Sequence, residues 1–222
     1  NDLSHYNIAV AFHPYYQNHN SYLIIIPTTT VIIMTTSATS IFIYTGQSKA
    51  GIPENITHVR IIDPSVKVIG EDAFSGYTQL RNVELCVGLE RINKGAFDIC
   101  TSLEGITIPS TVKEISEFAF SGCSRLRNVK LPDGLESINY GAFSGCASLE
   151  GITIPSTVKV IGQEAFSGCT RSRSVELFDG LESIDDEAFR GCTSLEGIII
   201  PSTVKVISEN AFNGCSQLRN VE

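Results

Sequence analysis

Residues 103–123 read LEGITIPSTVKEISEFAFSGC, and the same pattern returns along most of the chain. The Ala-Phe pair that ends at Phe120 also ends at Phe74, Phe97, Phe143, Phe166, Phe189 and Phe212, with every interval 23 residues. Five residues before each Phe stands an Ile, from Ile69 to Ile207, and three before that a Val or Leu, from Val66 to Val204. Three residues after each Phe stands a Cys, from Cys100 to Cys215, with Tyr77 in the first coil. A Leu follows three further on, from Leu80 to Leu218, with Ser172 the one departure.

A strict period of this kind has a physical reading. One coil of this length cannot bury its own apolar face, whereas stacked coils bury a continuous column and touch only their neighbours. The Leu-x-x-Ile-x-Ile segment alternates with period two and reads as a short strand. Strands from successive coils then form a parallel sheet, rising roughly 30 Å over seven coils at about 4.8 Å each. Pro109, Pro132, Pro155 and Pro201 close the strands, where a ladder donor is no longer needed. Ser-Gly-Cys reads as a turn, with a brief helical turn around the Phe. Each buried Phe contributes on the order of 1.5–3 kcal/mol.

The pattern Leu-Glu-Gly-Ile-Thr-Ile-Pro-Ser-Thr-Val-Lys-x-Ile-x-x-x-Ala-Phe-x-Gly-Cys resembles the BspA-like class of leucine-rich repeats, over residues 66–222. The resemblance implies a β-rich leucine-rich-repeat solenoid of the α/β horseshoe type, with a parallel sheet on one face and short helical turns. It also implies a role in recognition, often of proteins and in some members at a cell surface. It implies no catalytic residue and no cofactor.

Coils alternate between two kinds, one reading Leu-Arg-Asn-Val-Lys-Leu-Pro-Asp-Gly from Leu126, the other Leu-Glu-Gly-Ile-Thr-Ile-Pro-Ser-Thr from Leu103. At one column the order is Arg81, Glu104, Arg127, Glu150, Arg173, Glu196, Arg219, and at another Lys67, Glu90, Lys113, Glu136, Lys159, Glu182, Lys205. Alternating signs one strand apart attract, and like signs would repel. The expectation is two exposed charge ladders that fix coil order more than they stabilise.

The strand's outward column reads Glu84, Thr107, Lys130, Thr153, Glu176, Ile199, Glu222, and its neighbour Asn82, Gly105, Asn128, Gly151, Ser174, Gly197, Asn220. The candidate partner-binding residues are Arg81, Asn82, Glu84, Glu104, Thr107, Arg127, Asn128, Lys130, Glu150, Thr153, Arg173, Glu176 and Ile199. A merely solvated face is the competing reading.

Composition narrows the function. The formal net charge is −8, which argues against nucleic acid, whose phosphates attract Lys and Arg clusters. No apolar run reaches the roughly 18 residues of a membrane helix. Six Cys share one repeat position, a spacing unlike the short Cys-x-x-Cys of a zinc site, and read as small buried thiols. A bridge between adjacent coils is the alternative. Buried thiols favour a reducing compartment. Asn55-Ile56-Thr57 is a glycosylation sequon, a triplet that also arises by chance. His5, His13, His19 and His58 all lie outside the regular coils, which leaves no Ser/His/Asp or Cys/His site. Asp133-Gly134 and Asp179-Gly180 read as turns.

Residues 1–50 contain only Asp2 and Lys49 as charged groups, so the composition shifts there. Residues 1–33 are expected to pack with little regularity, either as sequence upstream of a natural start at Met34 or as a genuine but fragmentary extension. Residues 34–65 read as a capping strand and an irregular first coil, and 66–222 as about seven repeats broken off inside a strand motif at Asn220-Val221-Glu222. The leading function is a protein-binding scaffold. The alternatives are a self-assembling solenoid, a surface- or ice-binding face built on regular Thr, and a recognition domain whose effector lies elsewhere. Against the Thr face, Thr107 and Thr153 occur only in alternate coils and Ile199 breaks the series.

Overall fold

The protein is described by a computed structural model, which covers residues 9–10, 21–26, 30–35, 40–46, 49 and 52–222, with side chains from Ile41 onward. The apolar strand positions of the repeat stack in register. The first column holds β5 (His58–Arg60), β7 (Asn82–Glu84), β9 (Gly105–Thr107), β11 (Asn128–Lys130), β13 (Gly151–Thr153), β15 (Ser174–Glu176), β17 (Gly197–Ile198) and β19 (Asn220–Val221). A second column, not foreseen from the sequence, uses two residues per coil. It comprises β6 (Val68–Ile69), β8 (Arg91–Ile92), β10 (Glu114–Ile115), β12 (Ser137–Ile138), β14 (Val160–Ile161), β16 (Ser183–Ile184) and β18 (Val206–Ile207), all parallel. Paired strands of the repeat match residues one repeat apart, as in Ile106↔Val129 and Ile115↔Ile138.

The turn around each Phe is built differently from the helical turn expected there. Phe97 N–H donates to Ala119 O in the next coil, while Ala96 and Asp98 N–H donate three residues back to Asn93 and Gly95. Alternate donors are thus spent on the neighbouring coil, and a helix, which needs every donor within its own segment, cannot run on. The result is a third line of inter-coil bonds beside the two strand columns.

The core lies between these lines. Phe74, Phe97, Phe120, Phe143, Phe166, Phe189 and Phe212 form a stack with ring centroids 5.2–5.4 Å apart and planes within 8°. Tyr44, fully buried, closes one end of it, edge-on to Phe74 at 5.2 Å, and its hydroxyl accepts from Gly70 N–H. Tyr44 follows β4 (Ser40–Ile43), which pairs parallel with β5. Within 1–33, where little regular packing was expected, the described stretches include β1 (Ala9–Val10), β2 (Ser21–Ile26) and the start of β3 (Thr30–Thr35). β1 with β2, β2 with β3, and β3 with β4 pair antiparallel.

All seven thiols are free. Those of the repeat column donate to the carbonyl of the preceding coil's Phe, from Cys100 to Phe74 O at 3.1 Å through Cys215 to Phe189 O at 3.1 Å. Tyr77, in the same column, donates to Ile52 O at 2.8 Å. Burial pushes the Cys123 and Cys169 thiols up to about 12, so they stay protonated as donors. Cys86 lies outside the column and is only partly buried. Ser172 occupies the Leu column at 2% exposure, and its hydroxyl has no hydrogen-bond partner among the described residues.

The charge columns behave unequally. The Lys67 column forms discrete pairs, Lys67–Glu90 at 3.3 Å, Lys113–Glu136 at 3.6 Å and Lys205–Glu182 at 2.6 Å. Lys67, Lys113 and Lys159 also donate to Gly88 O, Gly134 O and Gly180 O of the next coil. The Arg81 column forms no ion pair among the described residues, so the second ladder expected from the sequence is absent as a set of contacts.

Three outcomes follow from this packing. Asp179-Gly180 and Asp133-Gly134 are equivalent in sequence, but Gly180 has φ 116° and a Cβ there would meet Ser156 O at 2.3 Å, whereas Gly134 has no positive φ. Gly180→Ala is therefore expected to cost about 2–3 kcal/mol and Gly134→Ala under about 1 kcal/mol, measured by urea unfolding. Ser172→Leu restores the column and removes a buried hydroxyl without a partner, which should raise stability by about 2 kcal/mol in the same assay. Under brief alkylation of the native protein, Cys86 and Cys215 should label, while Cys100, Cys123, Cys146, Cys169 and Cys192 label only on unfolding, as read by peptide mass.

Candidate strand-face recognition site

Alternation along β7–β15 points every second side chain outward. Glu84, Thr107, Lys130, Thr153 and Glu176 are exposed, as are Asn82, Asn128 and Ser174, while Val83, Ile106, Ile152 and Val175 face the core. Ile199, beyond β17, is 68% exposed. The sequence therefore placed the outward column correctly as geometry.

Polar contacts divide this row. Glu84 accepts from Arg60 Nε at 2.7 Å. Asn82 Nδ2 lies 2.7 Å from His58 Nε2, and Thr57 Oγ1 lies 2.8 Å from His58 Nδ1. Burial, the largest influence, lowers the pKa of that ring, which suits a neutral imidazole accepting the amide proton. Thr153 donates to Glu176 at 2.9 Å. Lys130 forms neither an ion pair nor a side-chain hydrogen bond among the described residues. Arg60 and His58 were absent from the sequence-derived set because they precede the regular repeats.

The junctions between strands are of two kinds. β5–β7, β9–β11 and β13–β15 each pair over three residues. Ile61, Ile108 and Ile154 N–H extend those ladders to Glu84 O, Lys130 O and Glu176 O. By contrast β15–β17 and β17–β19 pair over two residues, β7–β9 pairs only Asn82 with Gly105, and β11 and β13 belong to separate sheets. Glycine permits the tight side: a Cβ on Gly151 would stand 2.7 Å from Ser174 Oγ and 3.1 Å from Ser174 O.

Shallow, overlapping grooves run across this strand face. One, of about 690 Å³, is lined in part by Val83, Glu84, Leu85, Val87, Thr107 and Pro109. Another, of about 530 Å³, is lined in part by Val129, Lys130, Leu131, Asp133, Thr153 and Pro155. Each residue of the second set lies two coils beyond its counterpart in the first. Lys130 and Val129 border both grooves. Glu150 and Arg173 meet elsewhere, with Arg171 and Ser194, around a polar cavity of about 560 Å³. Arg81, Glu104 and Arg127 line neither groove.

The sequence reading missed the apolar walls. Val87, 72% exposed, stands where other coils carry Ser110 or Ser156, and Phe178, 48% exposed, stands where they carry Pro109 or Pro155. Those departures from the repeat were the available signal. Among the described residues, no three His, Cys, Asp or Glu side chains cluster to hold a metal, and no helix is long and apolar enough to cross a membrane.

Comparison with known proteins agrees with this architecture. A leucine-rich repeat protein from T. pallidum is 29% identical over 83% of this chain and 74% of its own, with a TM-score of 0.61. One from Eubacterium ventriosum is 25% identical over 83% of this chain, with a TM-score of 0.68, and the match spans 49% of its length. A third, from Bacteroides ovatus, shares the fold at 22% identity and a TM-score of 0.58, over 96% of this chain and 69% of its own. No curated protein matches the chain. The BspA type leucine-rich repeat region matches residues 53–170 and 136–222, six copies in all, and the chain belongs to that family.

Proposed function

We propose that this chain is a non-catalytic scaffold that recognises a protein partner through its outward strand face. One contrast carries the reading. Core positions repeat the same chemistry in coil after coil, a Phe and an Ile at each turn and a Cys at six of the seven, whereas the exposed row Glu84, Thr107, Lys130, Thr153, Glu176, Ile199 changes charge and polarity at every step. Packing alone demands the first and says nothing of the second. A rigid lattice that presents a varied row pre-pays the ordering cost of binding. The net charge of −8 fits a protein partner better than nucleic acid. The repeat family, with its stacked coils, supports a scaffold role rather than a catalytic one.

The test is affinity capture with the full chain as bait, against a control carrying Ser at Arg81, Glu84, Arg127, Lys130, Arg173 and Glu176. A protein held by the native bait and lost with the folded control is the expected outcome. Equal capture by both baits, or selective capture by neither, would sink the strand-face reading. Mass that rises with bait concentration in light scattering would favour self-assembly in its place.

A further inference from the structure

The chain has 16 Lys and Arg side chains. Seven form ion pairs, and Lys49 and Lys159 donate to Ser75 O and Gly180 O. The rest are Arg81, Arg125, Arg127, Lys130, Arg171, Arg173 and Arg219, and none of these holds an ion pair or a side-chain hydrogen bond among the described residues. Each lies on a strand of the first column or within three residues of its start. The chain carries 24 acidic side chains, so a shortage of carboxylates does not explain cations left unmatched on one face alone.

The unmatched charge is densest at two Arg-x-Arg pairs two coils apart. Arg125 and Arg127 flank buried Leu126, Arg171 and Arg173 flank buried Ser172, and all four are exposed. Glu150 stands between the pairs. Its N–H donates to Arg127 O at 3.2 Å, and its carbonyl accepts from Arg173 N–H at 3.0 Å. Its carboxylate pairs with neither guanidinium. With Arg171, Arg173 and Ser194 it lines the polar cavity of about 560 Å³.

A guanidinium is a planar fork that grips a carboxylate through two parallel hydrogen bonds, so the pairs call for an anionic ligand. The acidic members of the column narrow its kind. Glu104, Glu150 and Glu196 are exposed in alternate coils. An evenly charged polymer laid along this edge would set its own charges against theirs. A peptide can place carboxylates on the Arg pairs and uncharged residues over Glu150, and like-charge contacts are what such an edge discriminates against.

We infer that the edge carrying Arg125, Arg127, Arg171 and Arg173 binds an acidic segment of a protein partner. Two clusters of Asp or Glu rest on the two Arg pairs, with an uncharged stretch between them over Glu150. This rests on the protein-binding reading above and names the partner's chemistry. It also adds Arg125 and Arg171, which the sequence did not single out.

The probe is a fluorescein-labelled peptide, Gly-Glu-Glu-Gly-Ser-Gly-Glu-Glu-Gly, titrated with the full chain and read by anisotropy. Saturable binding is expected, and raising salt from about 0.02 M to about 0.3 M should weaken it several-fold. The peptide with Gln for Glu should not bind. One with the same residues but its four Glu contiguous should bind roughly threefold more weakly. Arg125→Gln with Arg171→Gln should weaken the first peptide on the order of tenfold, with circular dichroism unchanged. Arg91→Gln with Lys94→Gln makes the same charge change on the other side of the coil and should alter affinity by less than about twofold. No saturable binding up to about 1 mM peptide, equal loss in both double variants, equal affinity for both Glu arrangements, or tighter binding of a dextran sulfate oligomer of equal charge would each overturn the inference. Capture of a folded partner that is lost with the six-Ser control but kept by Arg125→Gln with Arg171→Gln overturns it too, and leaves the broader protein-binding reading standing.

Discussion

Every coil must hand its backbone hydrogen bonds to the coil one repeat away. Three lines carry those bonds: the longer strands, the two-residue strands and the turn at each Ala-Phe. They lie in different parts of the coil, so one added or deleted residue between any two lines would break registration in at least one of them. The constraint therefore fixes period before it fixes composition. Side chains serve the same end. The Cys thiols reach the Phe carbonyls of the preceding coil, and Thr111, Thr157 and Thr203 donate to Leu89 O, Leu135 O and Leu181 O. These polar groups are satisfied by the stack itself, which is why thiols and hydroxyls are admitted to it at little cost.

A stack of identical coils would have a uniform surface. This one does not, because its unit is the coil pair. A glycine at Gly105 or Gly151 lets the following strand approach closely, and three residues then pair. The next junction pairs over one residue after β7, none after β11 and two after β15. Three-residue and shorter junctions alternate from β5 to β17. Charge does not follow the same rhythm: Lys67–Glu90 and Lys113–Glu136 form within coil pairs, whereas Lys205–Glu182, Arg91–Glu114 and Lys94–Glu117 bridge from one pair to the next.

Much of this was legible in the sequence because burial leaves a periodic mark. Phe97 through Phe189, the Ile and Cys columns and the outward row were all placed by spacing alone, and all lie where that spacing puts them. What escaped has a common physical origin. The second strand column occupies only two residues per coil, too few for an alternation to show. The turn at the Phe has helical spacing but sends half its donors to the next coil, and donor destination leaves no trace in composition. The Arg81 column alternates in sign as clearly as the Lys67 column, yet only the latter forms ion pairs, because side-chain direction decides contact and spacing does not. The paired strands within 1–33 were unreadable because they carry no repeat with which to compare them.

The departures from the repeat are as informative as the repeat. Ser172 breaks the Leu column inside the core, where it leaves a hydroxyl without a partner and offers no contact to anything outside. Val87 and Phe178 break the pattern on the surface, exposing apolar area that packing does not require. In a stack whose buried positions are set by their neighbours, an irregularity in the core weakens the lattice, whereas an irregularity at the rim changes only what the lattice presents. Val87 lines the first groove and Phe178 the second. Val87 and Phe178, like Ile99 and Ile199, thus lie at exposed positions, where the physics of stacking leaves the sequence free to differ.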